Sequence, residues 1–485
     1  MNLALFRPEI ALLVTAIAVI LTDLFVREKR ILTWLSVLGI LVAGVFTAMM
    51  WHEGNRAIFS NHFALDNFAM FFKMLFLGTG LFVILFSTDY LHKMPDLHGE
   101  YHALILLATL GAAMLSAATE LITLYVAMEV MSLSLYSLAG FRKDAKSSEA
   151  ALKYILLSSI SSAVLLYGMA MVFGFTGNTH LADIAASIRS NIGSNILDNP
   201  ALLLGIVMMM AGFGFKIAAA PFQLWVPDVY EGAPTPVTAY LSVASKAAGF
   251  ALIIRVFFTA FELPSVLSLN WGTIFAVLAV IGMIVGNVSA LRQSNVKRLL
   301  GYSSIAQAGY LLVGLAVLGI APETEIIARS GILFFLFSYA LTNIGAFAAI
   351  TVISNKVNSD AIDDFKGMGK RAPVLALCLT VCLISLIGMP PAAGFMAKFY
   401  LFNGAVHYGL LWLVIIAVIN SVISAFYYLR IVRVMWFTEP SDLGKVPSSA
   451  ATRFTLLVCS LGVLFVGIAP GLVMKLAEWA ARILS

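Results

Sequence analysis

The sequence of 485 residues contains little charge: Asp, Glu, Lys and Arg together make up only 11% of it. An ordinary soluble domain is about 25% charged and roughly 45–50% apolar. Here 61% of the residues are hydrophobic and the mean hydropathy is +0.96. Such a composition excludes a soluble fold, because too few polar residues are present to cover its surface. It also excludes disorder, which requires few apolar residues and many charges.

The sequence also lacks the motifs by which proteins hold redox cofactors and nucleotides. No G-x-G-x-x-G opens a βα unit, and there is no P-loop. Three cysteines are too few for the four thiolates of an iron–sulfur cluster. Since Cys378, Cys382 and Cys459 all lie in apolar runs, they are interpreted as small buried side chains. We expect no cofactor and no metal in this chain, so that any redox centres, such as flavin and iron–sulfur clusters, belong to partner subunits.

Long apolar runs are what the sequence does contain. A helix that crosses a bilayer needs about 20 apolar residues. Fourteen such runs can be counted, and the segment 176–200 between two of them is expected to be a loop. The pattern predicts an all-α polytopic membrane protein with about 14 transmembrane helices. The runs lie near 8–26, 31–50, 66–88, 101–118, 120–140, 150–175, 201–226, 235–260, 272–291, 302–320, 327–354, 372–402, 410–437 and 453–478.

Basic residues outside the runs are distributed unevenly. Loops that follow odd-numbered runs hold 18 of the thirty lysines and arginines, whereas the other loops and both tails hold six. Because cytoplasmic loops of membrane proteins are enriched in Lys and Arg, we expect both termini on the non-cytoplasmic side. The net charge of +5 is therefore interpreted as an orientation signal and not as a nucleic-acid surface.

Six cations and one carboxylate fall inside the runs, where a charge costs about 2.5–3.5 kcal/mol at the bilayer centre. Lys153 and Arg255 lie near run ends, where their side chains could snorkel to the interface, and Lys73 has no evident partner. The charges near the middle of runs favour titratable groups that pass protons along. The alternative is a buried ion pair that only locks helices together. The mid-run residues are Glu129, Lys216 and Lys246.

Prolines interrupt two of the runs close to a lysine. Pro221 follows Lys216 in run seven, and Pro390 and Pro391 precede Lys398 in run twelve. Proline removes a backbone hydrogen bond and kinks a helix. Interrupted helices at corresponding places in two halves are typical of transporters, although an ordinary proline kink is the alternative. The two halves share little direct sequence similarity, so the repeat is inferred from the placement of proline and lysine.

Three strings of the sequence carry a family resemblance over nearly the whole chain. They are residues 221–237, beginning Pro-Phe-Gln-Leu-Trp-Val-Pro-Asp, residues 295–305, and Gly388-Met389-Pro390. The chain resembles the subunit N family of the proton-translocating NADH:quinone oxidoreductase, respiratory complex I. Cation/proton antiporters are similar to the same family over the central spans.

The resemblance implies an antiporter-like fold in a bacterial inner membrane, with two inverted repeats and discontinuous helices at spans 7 and 12. It divides the chain into three N-terminal spans (1–100), a first repeat of spans 4–8 (101–260), a second repeat of spans 9–13 (261–437) and a last span (438–485). The expected partners are other membrane subunits and the lipid bilayer, with quinone reached only through the complex and no nucleic acid.

The resemblance also assigns roles to the buried charges. Glu129 and Lys216 would be a coupled pair, Lys246 a central relay and Lys398 the terminal lysine, with Lys153 as a candidate for proton uptake. Two glutamines, Gln223 and Gln307, stand where family members carry histidine.

Three functions remain open at this point. The chain could be a proton-pumping subunit driven by redox chemistry in its partners, with no catalytic activity of its own. It could instead be a stand-alone cation/proton antiporter, or a scaffold whose charges only pin helices together.

Overall fold

The computed structural model describes residues 3–51, 53–94, 97–191, 199–261, 271–320, 325–440 and 444–482. Within that part of the chain, 12 helices are long and apolar enough to cross a membrane, and two more apolar helices are shorter. The shorter ones, Pro200–Lys216 and Pro373–Ile387, are the first halves of the two interrupted runs. The prediction of an all-α membrane protein is confirmed, and the count is compatible with about 14 spans.

Most helices follow the apolar runs closely. The first eleven are α1 Arg7–Phe25, α2 Arg30–Met49, α3 Asn67–Leu91, α4 His98–Ala117, α5 Leu121–Ala139, α6 Ala145–Thr176, α7 Leu181–Asn191, α8 Pro200–Lys216, α9 Trp225–Gly232, α10 Thr235–Tyr240 and α11 Lys246–Thr259. The others are α12 Trp271–Leu291, α13 Val296–Ile320, α14 Glu325–Val357, α15 Met368–Arg371, α16 Pro373–Ile387, α17 Ala393–His407, α18 Leu411–Phe437, α19 Ala450–Ile468 and α20 Gly471–Ala480. A π-helical turn, Leu241–Ser245, joins α10 and α11 into one membrane span.

Loops that follow odd-numbered spans meet at one end of the helix bundle. Asn355, after span 11, donates to the Asp89 carbonyl near the end of span 3 at 2.7 Å. The Val296 amide, after span 9, donates to the Asp360 carbonyl at 2.8 Å. We call this the basic end, because the loops rich in lysine and arginine lie there. At the opposite end, the Leu121 amide donates to the Thr179 carbonyl at 2.9 Å.

Three local features differ from the sequence-based expectation. A short antiparallel hairpin, β1 Arg56–Ile58 with β2 Phe63–Leu65, stands between α2 and α3. The segment expected to be a loop after span 6 contains the helix α7, whose buried Leu181, Ile184 and Ile188 recur at helical spacing. Pro470 separates α20 from α19, because proline cannot continue the hydrogen-bond ladder. All three lie where the chain is too short or too polar to span a bilayer.

Arg255 does not snorkel, and that interpretation was wrong. Its side chain is 1% exposed, and its two terminal nitrogens donate to the Asp66 carboxylate at 2.8 and 2.9 Å. Its Nε donates to the Ser116 carbonyl at 2.9 Å. The guanidinium fork is suited to such bidentate pairing, so the ion pair ties α11 to the start of α3 inside the bundle.

Lys73 has a partner that its sequence position did not reveal. Its ammonium lies 2.5 Å from a carboxylate oxygen of Glu9 in α1, and both side chains are almost fully buried. A charge inside the bundle is costly unless it is paired. This ion pair therefore fixes α1 against α3.

Two helix pairs in different halves of the chain pack through the same glycine contact. A Cβ placed on Gly111 of α4 would lie 2.5 Å from the Met131 amide nitrogen of α5. A Cβ placed on Gly286 of α12 would lie 2.5 Å from the Ala306 amide nitrogen of α13. In both pairs the glycine and the residue that it contacts are separated by the same number of residues in the sequence. Helix α4 begins at the basic end whereas α12 ends there, so the two pairs run in opposite directions.

Asp66→Asn should destabilise the folded chain by about 3–5 kcal/mol, because it leaves the buried Arg255 charge without its counter-charge. The amide keeps an oxygen that can accept from the Ala69 amide, as Asp66 does at the N-terminus of α3. Thermal unfolding of the protein purified in detergent measures the loss. Asp66→Asn combined with Arg255→Met should recover most of it.

Glu53→Gln is the matched control, because its ion pair with Arg56 is exposed. Exposed pairs contribute about 0–1 kcal/mol. Equal shifts in Asp66→Asn and Glu53→Gln would contradict a stabilising role for the buried pair.

Candidate functional site

The first interrupted span ends its leading half on a lysine. Helix α8 ends at Lys216 and α9 begins at Trp225, with Pro221 between them after a cis peptide bond. Lys216 is 4% exposed although it lies deep in an apolar span. The free carbonyls at a helix C-terminus carry partial negative charge, which favours a cation there.

The second interrupted span brings its lysine to the same kind of helix end. Helix α16 ends at Ile387 and α17 begins at Ala393, and the bond between Pro390 and Pro391 is cis. The Lys398 ammonium reaches back from α17 and donates to the carbonyls of Leu386 at 3.2 Å and Ile387 at 2.9 Å. Both breaks therefore have a buried lysine beside them: Lys398 bonds to the last carbonyls of its half-helix, whereas Lys216 is the last residue of its half-helix.

Glu129 and Lys216 lie in one polar group, but they do not form a direct ion pair. Lys216 donates to the hydroxyls of Ser132 at 2.8 Å and Ser158 at 3.3 Å. Glu129 accepts from the Ser162 hydroxyl at 2.7 Å. Ser158 and Ser162 are one turn apart on α6, so two hydroxyls separate the carboxylate from the ammonium.

Lys246 lies directly after the π-helical turn and is 2% exposed. Its ammonium donates to the backbone carbonyl of Ser304 in α13 and lies 5.7 Å from the centre of the Tyr339 ring. A π-turn inside a helix is rare and is frequent at functional sites. Here it immediately precedes the buried lysine in the same continuous span.

A short polar path connects Lys246 with Lys398 through α13. Ser304, which Lys246 contacts, is one turn from Gln307. The Gln307 amide donates to the Leu386 carbonyl at 3.1 Å, and Lys398 donates to that same carbonyl. The glutamine thus lies between the surroundings of the two buried lysines.

Aromatic rings fill the space between the Lys216 group and the Lys246 group. The Tyr136 hydroxyl bonds to Ser158, and its ring lies 4.8 Å from that of Tyr154. Tyr154 stacks on Trp225 at 4.7 Å, and Trp225 lies 6.3 Å from Tyr230. The Tyr230 hydroxyl lies 3.3 Å from that of Ser304, where the second polar path begins. We call these four residues the aromatic ladder.

Lys153 belongs to a network of ion pairs at the basic end. It lies 2.8 Å from Asp228, which also pairs with Arg298 at 2.5 Å. Arg298 lies 3.0 Å from Glu231, and Glu231 lies 2.9 Å from Lys146. Lys146 and Glu231 line a polar cavity of about 460 Å³. Lys153 is half-exposed, unlike the deeper lysines.

Sequence reasoning missed the hydroxyl and ring groups that connect the charges. Ser158, Ser162 and Ser304 lie among apolar residues and look like ordinary helix serines. Their contacts are made with other helices, so spacing along one helix could not reveal them. Gln307 takes a bridging position, whereas the side-chain oxygen of Gln223 is buried without a hydrogen-bond partner.

In the described ranges, no group of three or more His, Cys, Asp or Glu residues is arranged to hold a metal ion. Cys378, Cys382 and Cys459 are buried and free of disulfides. The groups that the site brings together are amines, a carboxylate, hydroxyls and an amide.

Comparison with known proteins places this architecture in a family. Residues 118–424 match the family model described as "NADH:quinone oxidoreductase/Mrp antiporter, TM". The NADH-quinone oxidoreductase subunit N of Dehalococcoides mccartyi is 46% identical over 99% of this chain and 99% of its own length.

Two solved structures have the same fold. A chain of respiratory complex I from Thermus thermophilus with bound aureothin superposes with a TM-score of 0.81 at 31% identity, covering 97% of this chain and 99% of its own. A chain of the Mrp complex from Dietzia has a TM-score of 0.84 at 20% identity, covering 99% of this chain and 97% of its own.

Gly388→Ala should destabilise the folded chain by about 1–3 kcal/mol, because alanine disfavours the left-handed backbone conformation of this residue. Displacement of the Lys398 side chain should add to this loss. The residue has φ +87°, and a Cβ there would lie 2.9 Å from Cδ of Lys398. Gly409→Ala is the control, because Gly409 has φ +82° with nothing within 4 Å. Thermal unfolding of both variants separates the two costs. Equal losses of stability in the two variants would mean that the Lys398 side chain moves aside without a measurable cost.

Proposed function

The chain belongs to the subunit N family of NADH-quinone oxidoreductase, and from this membership we propose that its buried ionisable groups form a proton relay. As a member of this family it is a proton-translocating subunit in the membrane arm of a complex I type enzyme. Its partners are other membrane subunits of that complex. The proposed relay residues are Glu129, Lys216, Lys246 and Lys398.

The proposal rests on one observation above all: hydroxyl and amide groups lie between the ionisable groups. The hydroxyls of Ser158 and Ser162 separate Glu129 from Lys216. Between Lys246 and Lys398, Gln307 lies one turn from Ser304 and shares the Leu386 carbonyl with Lys398. A buried lysine can release its proton far more readily than an arginine, which suits it to a relay.

The aromatic ladder is the point at which the relay would be controlled. Hydrogen bonds to Ser158 at one end and to Ser304 at the other connect the ladder to the two lysine groups. Between these ends, most of the distance from Lys216 to Lys246 is filled by contacts between rings. A proton would cross this region only through the hydroxyls of Tyr136, Tyr154 and Tyr230 or through water between the rings. Movement of the ladder would therefore open or close the path.

We propose that the energy comes from quinone reduction in partner subunits, and that the chain alone has no catalytic activity. Moving one charge against 100 mV costs about 2.3 kcal/mol. Two opposite charges 4 Å apart interact by about 4 kcal/mol at an effective dielectric constant of 20. A change in the separation of Glu129 and Lys216 is thus of the right magnitude to drive one transfer.

For sidedness, we propose that the basic end faces the cytoplasm of a bacterial cell, as the excess of lysine and arginine there indicates. Both termini then lie on the other side. Lys153 would take up protons, because its ion pairs lead through Asp228, Arg298 and Glu231 to the polar cavity.

The two-repeat organisation is likewise proposed, with limits at 101–260 and 261–437. The identical glycine contacts of Gly111 and Gly286 support it, because they occur in helix pairs of opposite direction. The two interrupted spans support it as well, since the leading half-helix of each ends next to a buried lysine. Residue Ser304 then corresponds to Glu129 in the second repeat.

Lys216→Ala and Glu129→Ala should lower proton pumping and quinone reduction together, by roughly tenfold or more, as for the loss of a positioned proton-transfer group. Lys216→Arg should also lower proton pumping and quinone reduction, because arginine keeps the positive charge but does not release its proton. Proton uptake and quinone reductase rate are measured on membrane vesicles that contain the assembled complex.

Lys475→Ala is the control for these variants, because Lys475 is an exposed lysine on α20. It should leave both rates unchanged. Normal pumping in Lys216→Ala would refute the role assigned to Lys216. Full activity in Lys216→Arg would mean that Lys216 acts only as a fixed positive charge.

A stand-alone antiporter would exchange cations for protons when this chain alone is reconstituted in vesicles. We expect no exchange, because the energy source lies in partner subunits. Sodium-driven proton movement by the isolated chain would support the antiporter instead. A scaffold role would be supported if Lys398→Met left turnover of the complex unchanged.

A further inference from the structure

Lys398 is the relay lysine with the nearest aromatic ring, and, like Lys246, it is held by neutral groups. In the described part of the chain it takes part in no ion pair, and its hydrogen bonds go to two backbone carbonyls and to the Ser421 hydroxyl at 2.8 Å. The Tyr310 ring lies beneath it, with its centre 4.4 Å from Nζ. This is the shortest cation–ring distance among the described residues. The ammonium is therefore held by neutral groups and one ring face.

Tyr310 is itself held by a polar group that the relay does not use. The side-chain nitrogen of Asn287 lies 3.4 Å from the Tyr310 hydroxyl and 3.2 Å from the Asn420 oxygen. The Asn287 oxygen accepts from the Tyr427 hydroxyl at 2.9 Å. Asn287 and Tyr310 are both fully buried. One amide thus joins α12, α13 and α18 behind the ring.

A fully bonded asparagine inside a membrane bundle fixes its neighbours, because every lost bond would leave a polar group in an apolar surrounding. The Phe402 ring packs against Tyr310 edge-on, with 6.3 Å between the ring centres. Asn287 thus holds the Tyr310 hydroxyl, and Phe402 supports the Tyr310 ring. The face of the Tyr310 ring contacts the ammonium of Lys398.

We propose that Tyr310, held by Asn287, is a positioning residue for Lys398 that presents its ring face to the ammonium and so keeps this lysine in place to receive a proton. The inference rests on the proposed relay and extends it to two residues outside it. The ring attracts the charged form of the lysine without offering it a carboxylate. Lys398 can then gain and release its proton without being trapped in an ion pair.

The test measures protons translocated per quinone reduced, normalised to assembled complex, in membrane vesicles. Tyr310→Leu should lower this ratio roughly fivefold, within the range of a lost cation–ring contact at a desolvated site. Tyr310→Phe keeps the ring face and should retain most of the ratio. Tyr310→Leu combined with Lys398→Leu should be no worse than Lys398→Leu alone.

Asn287→Leu tests the support independently. It should lower the ratio, because the Tyr310 hydroxyl loses its partner and the ring can turn away. Asn287→Leu combined with Tyr310→Phe should regain part of the ratio, since phenylalanine has no hydroxyl to satisfy. A purely structural defect would lower the amount of assembled complex without showing this rescue.

Tyr101 provides the matched control. It is fully buried in α4, and its hydroxyl bonds to Ser87, away from the lysines. Tyr101→Leu and Tyr101→Phe should leave the ratio unchanged in whatever complex assembles.

Two results would overturn the inference while leaving the relay intact. One is a normal ratio in Tyr310→Leu when Lys398→Leu has lost pumping. The other is an equal loss in Tyr310→Phe and Tyr310→Leu, which would assign the effect to the hydroxyl and not to the ring face. A normal ratio in Lys398→Leu would instead overturn the terminal role of this lysine, and the inference with it.

Discussion

The constraint that shapes this protein is the cost of keeping charged groups inside a bilayer. Each buried ammonium or carboxylate must find a counter-charge, a hydrogen bond or a ring face, because lipid offers none of these. The chain meets the requirement in two ways. Arg255 and Lys73 are neutralised by carboxylates, whereas Lys246 and Lys398 are held by carbonyls, hydroxyls and aromatic rings.

These two solutions separate the charges that only hold helices together from those proposed for the relay. A bidentate pair such as Arg255 with Asp66 releases no proton and ties α11 to the start of α3. A lysine held only by neutral groups can exist with or without its proton, because neither state leaves a carboxylate unpaired. The lysines of the second kind are those joined by the polar path through α13.

The second interrupted span supplies carbonyls that make this possible. Where α16 stops, the carbonyls of Leu386 and Ile387 accept from the Lys398 ammonium. Where α8 stops, the Lys216 ammonium instead donates to the hydroxyls of Ser132 and Ser158. Unsatisfied backbone at membrane depth is tolerated only against protein or a wet cavity. The breaks, the lysines and the surrounding hydroxyls are thus one arrangement. Gly388 illustrates how tightly it is built, since its left-handed backbone and its contact with Lys398 leave no room for a side chain.

The sequence by itself determined the all-α membrane fold and the order of its apolar helices, the two interruptions, the grouping of basic loops at one end, and the lysines that lie inside apolar spans. Each of these depends on hydrophobicity or on proline along a continuous stretch of chain. Only the tertiary structure decided which groups meet: Glu9 with Lys73, Asp66 with Arg255, and Asn287 with Tyr310. In a bundle whose helices are apolar on the lipid side and on the core side alike, periodicity does not say which way a side chain points. Partners that lie on different helices, or that are ordinary serines and tyrosines, therefore become visible only when the helices are packed.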